Sequence, residues 1–253
     1  MKFFWQVEDS DIQKVRLLYD DQKNNSFVMN RIIRNVERNI PEFSKDIFWY
    51  SMISCLLTTQ QRSGPDSAVT HFICSDPFPL SYSQCKKSDN LQKYVEITIT
   101  DFGGLRRGKK IGEEVENNLE WLEGGGWKDI KKIFSELRNN ENKKIERKCS
   151  EFFLDKDNKR LKGIGPKQSR NLLQSLGLTK YEIPLDSRII KWLQNFGFPI
   201  ILSPGALGDK YYYNFVLDAF QLLCDRSRLY PCVLDAAIFS SFDNEWPDDK
   251  LIW

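Results

Sequence analysis

Histidine is nearly missing from this sequence, with His71 the single example in 253 residues. Six cysteines are present, at 55, 74, 85, 149, 224 and 232, and no two form a CxxC pair. Together these scarcities leave no His/Cys ligand set with metal-site spacing, so reduced and mostly buried thiols are the simplest reading. There is no apolar run of membrane-spanning length and no sign of a cleavable leader, so no membrane association is expected. With 28% charged and 41% hydrophobic residues the composition is that of an ordinary globule. A cytoplasmic or nucleoid location is expected, nuclear in a cell that has a nucleus. The net charge of +2 is too small to announce a nucleic-acid partner by itself. Period-2 alternation, internal repeats and low-complexity tracts are also missing, which argues against an all-β fold or a solenoid.

What is present is unevenly placed charge and a series of amphipathic segments. From Lys143 to Arg170 there are ten Lys or Arg against four acids, a local excess of +6, and Arg106, Arg107, Lys109 and Lys110 follow "DFGG". Charge runs on helices are commonly solvated faces, and what distinguishes these two is the glycine corner that each flanks. The periodicity predicts helices near 9–23, 26–39, 45–59, 65–74, 89–101, 106–123, 127–138, 143–155, 166–177, 187–196, 209–228 and 231–242. Ser26, Ser44 and Ser88 stand where N-caps belong, and the glycines at 124–126 and Gly177 where helices stop. The β-branched "YVEITIT" (94–100) suits a strand, yet no partner strands occur, so it is read as helix and the fold class as all-α.

One corner concentrates the chemistry. In "LKGIGPK" (161–167) Leu161 is an anchor, Gly163 and Gly165 free the backbone, and Pro166 takes the first position of the next helix. Amides at the start of that helix can approach a phosphate directly, with Lys162 alongside. Asp186 follows Lys167 by 19 residues and opens the segment "SRIIKWLQNFG". Read locally, Asp186 suits an N-cap and Lys167 a phosphate contact, while Gln60 alone carries no signal.

Taken together, this hairpin, the proline-containing loop and the aspartate resemble the helix-hairpin-helix (HhH-GPD) superfamily of base-excision DNA glycosylases. Upstream, "SMISCLLTTQQRSG" (51–64) is similar to the family's early helix, whose polar residue enters the DNA stack at the place of Gln60. "DFGGLRRGKKIGEEVENNL" (101–119) is similar to its glycine turn and following helix. The resemblance spans roughly 45–196 and implies a two-lobed helical fold. Residues 45–183 would form a helical-barrel lobe carrying the hairpin (about 143–177), and 1–44 with 184–253 a second lobe. It implies Lys167 as a nucleophile that forms a Schiff base at the sugar C1′ and Asp186 as its catalytic partner. Gly163, Gly165, Lys162, Arg106 and Arg107 would contact DNA, with Gln60 filling the gap left by a flipped nucleotide. The implied partner is double-stranded DNA with a damaged base, bound by a monomer.

Departures from the pattern narrow the branch. Only Cys224 and Cys232 follow the aspartate, too few for the four-cysteine iron-sulfur site of some branches, so no cofactor is expected; a monovalent cation at the hairpin remains open by analogy. Lysine at 167 and the proline in "IPLD" point to the 8-oxoguanine DNA glycosylase/AP lyase branch. Asn171 replaces the cysteine that some members carry four residues after the lysine. Phe239, Trp246 and Trp253 offer rings for stacking a flipped base, or for closing a core. Alternatives left open are a glycosylase for oxidised pyrimidines or another modified base, and a DNA-binding hairpin protein without catalysis.

Overall fold

Two segments, "KDIFWYSMISCLL" and "PCVLDAAIFSSF", are apolar around their whole circumference rather than along one stripe, the pattern of a helix enclosed by others. The computed structural model, which describes residues 4–40, 42–154 and 160–242, places each at the centre of its own core. Thirteen α-helices are found among the described residues. They are α1 (Asp9–Gln22), α2 (Ser26–Arg31), α3 (Lys45–Leu57), α4 (Ala68–Ile73), α5 (Tyr82–Lys87), α6 (Leu91–Phe102), α7 (Gly108–Trp121), α8 (Trp127–Asn139), α9 (Lys143–Phe152), α10 (Pro166–Ser175), α11 (Ser187–Phe196), α12 (Lys210–Ser227) and α13 (Pro231–Phe242). The fold is all-α, with no strand among the described residues.

The first core, from Ile40 to Leu178, surrounds α3, where Phe48, Trp49, Met52, Ile53, Leu56 and Leu57 are wholly buried. The second joins Val15, Phe27 and Val28 to residues from Ile183 to Ile238 around α13. Chain entering from the N-terminus and chain leaving after the hairpin therefore share one core.

Between the cores the contacts are polar. Arg170 on α10, fully buried, donates through Nε to Glu182 Oε2 at 3.0 Å and through Nη2 to Asn214 Oδ1 at 2.9 Å. Arg147 on α9 holds the other oxygen of Glu182 at 3.0 Å and Asp218 of α12 at 2.6 Å. Buried Glu146 accepts the backbone N–H groups of Lys180, Tyr181 and Glu182. Asn35 donates to the carbonyls of Gln174 and Thr179. These bonds fix residues 179–185, the strap leading to Asp186. Tyr213 completes the hold, its hydroxyl accepting from Leu185 N–H at 2.7 Å and donating to Ile183 O at 2.9 Å.

Local differences from the sequence expectation have simple causes. Asn25 and Asn90, rather than Ser26 and Ser88, cap α2 and α6, each side chain accepting from a first-turn amide, while Ser44 caps α3 as expected. The segment 94–100 is helical because Leu91, Val95 and Ile99 form one buried stripe at helical spacing, which outweighs β-branching. The six-residue α5 was not expected, being too short to show periodicity. Helix α4 starts at Ala68, three residues later than expected from 65, behind the Ser67 cap.

Candidate nucleic-acid interface and active-site cleft

The hairpin corner is fixed from below. Leu161 and Ile164 are buried in the first core, and Asn118 of α7 clamps Lys162 by accepting its N–H at 2.5 Å and donating to its carbonyl at 3.1 Å. Gly163 has φ +78°, and a Cβ there would lie 2.5 Å from Leu56 Cδ2 and 2.7 Å from Glu114 Oε2, so conformation and packing both demand glycine. Gly165 differs: its backbone is extended, and a Cβ there would meet nothing within 4 Å. It opens onto free space at the start of α10, where Pro166 occupies the first turn and no side chain caps the first-turn amides. Those amides, the positive end of the helix and exposed Lys162 make an anion-accepting corner.

From Lys167 onward one face of α10 is turned to the second lobe. Lys167, Asn171 and Gln174 stand on one face of α10 and line a cleft of about 60 Å³ opposite Pro184, Asp186 and Arg188. Asp235 and Phe239 of α13 and Phe27 and Arg31 of α2 complete the far wall. Lys167 is half-buried and makes no ion pair or hydrogen bond among the described residues. Its charge reaches Cys55, whose thiol burial pushes up to about 12 against the pull of the amine. Asn171 is turned the same way, its Nδ2 3.5 Å from Cys55 Sγ.

Asp186 serves as the cap that its position suggests. Its Oδ1 accepts the N–H groups of Arg188 and Ile189 at 2.9 and 3.0 Å, and Oδ2 lies 3.3 Å from Arg188 Nη1. Capping and a place in the cleft are thus properties of the same carboxylate, and the cap fixes its direction. Asp235 lies deeper. Its Oδ2 accepts from Arg31 at 3.2 Å and Gln174 at 3.1 Å, and burial pushes its carboxyl up to about 6 despite Arg31. Phe239 stacks on Phe27 with centroids 4.5 Å apart and carries the Arg188 guanidinium 4.3 Å from its ring centre. Trp246 and Trp253 lie outside the described residues.

Gln60 sits just past the end of α3, exposed, on a left-handed backbone with φ +58°. The glycine-turn cations beside it differ from each other. Arg106 is exposed, its backbone N–H bonded to Gln61 Oε1, whereas Arg107 is turned inward to Thr59 O at 3.4 Å and Glu114 Oε1 at 3.3 Å. Arg107 therefore braces the Gln60 loop, and Arg106 is the one of the pair open to a phosphate. Sequence reasoning missed Arg31, Gln174, Arg188 and Asp235. Asp235 had left a signal, as a lone acid within the apolar run "PCVLDAAIF".

No family model matches the sequence. No curated protein matches it either. Two solved structures share its fold over nearly the whole length. The crystal structure of Methanocaldococcus jannaschii 8-oxoguanine DNA glycosylase superposes with a TM-score of 0.64 at 17% identity, covering 92% of this chain and 94% of that one. The 8-oxoguanine glycosylase/lyase of the same organism, in complex with a 15mer DNA containing 8-oxoguanine, gives 0.65 at 17% identity, covering 93% and 98%.

Proposed function

We propose that the protein is a DNA glycosylase with AP lyase activity that removes an oxidised base, 8-oxoguanine first among them, from double-stranded DNA. The observation carrying this reading is the meeting, in one cleft, of a cap-fixed aspartate and a lysine without an ion pair or hydrogen bond among the described residues, the lysine standing in the first turn after the anion-accepting hairpin. The fold shared with an archaeal enzyme acting on 8-oxoguanine supports the choice of substrate.

In this reading a backbone phosphate rests on the amides after Gly165 and the damaged nucleotide turns into the cleft. The neutral Lys167 amine attacks C1′ as the bond to the base breaks, and the base leaves with the bonding electron pair and takes up a proton. Once the nitrogen has lost a proton, its lone pair forms C1′=N as the C1′–O4′ bond breaks and O4′ takes up a proton, giving the ring-opened Schiff base, and removal of a C2′ proton then breaks the C3′–O bond and expels the 3′ phosphate. Asp186, held negative side inward by its cap bonds, stabilises the positive charge that builds on the sugar. The cleft is open to solvent and small, at about 60 Å³, so the base enters as side chains on the cleft wall move aside.

The test is release of free base from a panel of duplexes carrying 8-oxoguanine, oxidised pyrimidines or alkylated bases. Release from the 8-oxoguanine duplex is expected. Release confined to oxidised pyrimidines would move the substrate, and binding without release from any duplex would reduce the protein to a DNA-binding hairpin.

A further inference from the structure

The end of α3 is closed in an unusual way. The carbonyl of Cys55, one of the last of the helix, takes its hydrogen bonds from side chains: Thr58 Oγ1 at 3.1 Å, Thr59 Oγ1 at 3.0 Å, and Gln168 Nε2 at 2.6 Å. Gln168 belongs to α10, next to Lys167, and is 5% exposed. The same amide nitrogen also donates to Thr59 Oγ1 at 2.7 Å. From the other side Arg107 donates to Thr59 O and leans on buried Glu114. The residue directly after this doubly held threonine is Gln60, whose left-handed backbone is strained for a residue with a Cβ. Its side chain makes no hydrogen bond among the described residues and projects into solvent.

A strained, exposed side chain on a loop fastened from two sides is a pre-organised feature, and the fastening comes from the helix that presents Lys167. We infer that Gln168 is a positioning residue, which locks the Thr58–Gln60 turn so that Gln60 enters the duplex in register with the Lys167 amine. The inference rests on the proposed glycosylase activity and adds to it a physical link between base displacement and attack. Prising a base from its stack costs a few kcal/mol, and a wedge on a yielding loop moves back instead of holding the gap open. Misplacement by about 1 Å is enough to cost up to 100-fold in rate.

The test is a double-mutant cycle read by single-turnover base release. Wild type, Gln60→Ala, Gln168→Met and the double variant are compared on 8-oxoguanine opposite cytosine and opposite an abasic site, where little pairing must be broken. Thr59→Val, which removes one acceptor of the Gln168 amide, serves as a second probe should Gln168→Met fold poorly by thermal melting. Each single substitution is expected to slow release about tenfold on the paired lesion, with the double variant no slower than Gln60→Ala, and the defects should shrink on the unpaired lesion. Losses that multiply in the double variant, or that are equal on both duplexes, would leave Gln168 a merely structural residue, and wild-type rates for Gln168→Met and Thr59→Val would remove it altogether. If wild type releases no base from either duplex, the glycosylase reading itself fails, an outcome distinct from failure of the link.

Discussion

Around α3, Trp49, Met52, Ile53, Leu56 and Leu57 are wholly buried and apolar, whereas at the seam Arg170 and Glu182 are wholly buried and charged. The two regions exclude water equally well and do different things with that exclusion. Apolar packing is non-directional and tolerates small shifts, so it gives each lobe mass without fixing one lobe against the other. The seam contacts are directional: Arg170, Arg147 and Gln221 reach Glu182 from separate helices, and Glu146 gathers three consecutive backbone amides. Those bonds end on the strap that delivers Asp186 to the cleft where α10 delivers Lys167. The difference teaches that the cores make the lobes and the seam sets the distance between the two groups on which chemistry would depend.

The comparison breaks most visibly if the seam loses one charge. Arg170→Met should destabilise the protein by about 3 kcal/mol, because Glu182 is left buried with only part of its compensation. Denaturant unfolding measures this, and a loss well under 1 kcal/mol would mean that the seam adds little to what the cores supply. Asp186→Asn separates the two duties of the carboxylate. Asparagine caps as well as aspartate, so stability should stay within about 0.5 kcal/mol, while base release slows about 100-fold through loss of charge opposite the developing cation. Near-normal release would reduce Asp186 to a cap. The smallest effect is expected at the hairpin. Gly165→Ala should leave folding intact, since its Cβ meets nothing, yet lower affinity several-fold for damaged and undamaged duplex alike, as the methyl stands where a phosphate approaches. Titration of both duplexes checks this, and unchanged affinity would take the corner out of the interface.

Much of this arrangement was legible in the sequence where the reason for a residue is local. Gly163, Pro166 and Asp186 announce a turn, a helix start and a cap through their own stereochemistry. The segment 94–100 reads as helix only because no partner strands occur, and the buried stripe Leu91, Val95, Ile99 supplies the physical reason once the fold is known. Residues whose partners are far along the chain left no such trace. Gln168 meets Cys55 across 113 positions and Asn118 meets Lys162 across 44, and nothing in their neighbourhoods separates them from ordinary helix residues. Arg107 shows the same limit from the other side: a cation in a basic cluster looks like a phosphate contact until the fold supplies Glu114 beneath it.

The central claim is that Lys167 acts as an amine nucleophile, and borohydride trapping tests it most directly, because reduction preserves a Schiff base only where an amine has joined the sugar. Wild-type protein incubated with duplex containing 8-oxoguanine and borohydride should yield a covalent protein–DNA adduct, and Lys167→Gln should yield none while still binding the duplex. An undiminished adduct in the Lys167→Gln variant, or none in wild type that releases base, would contradict the assignment.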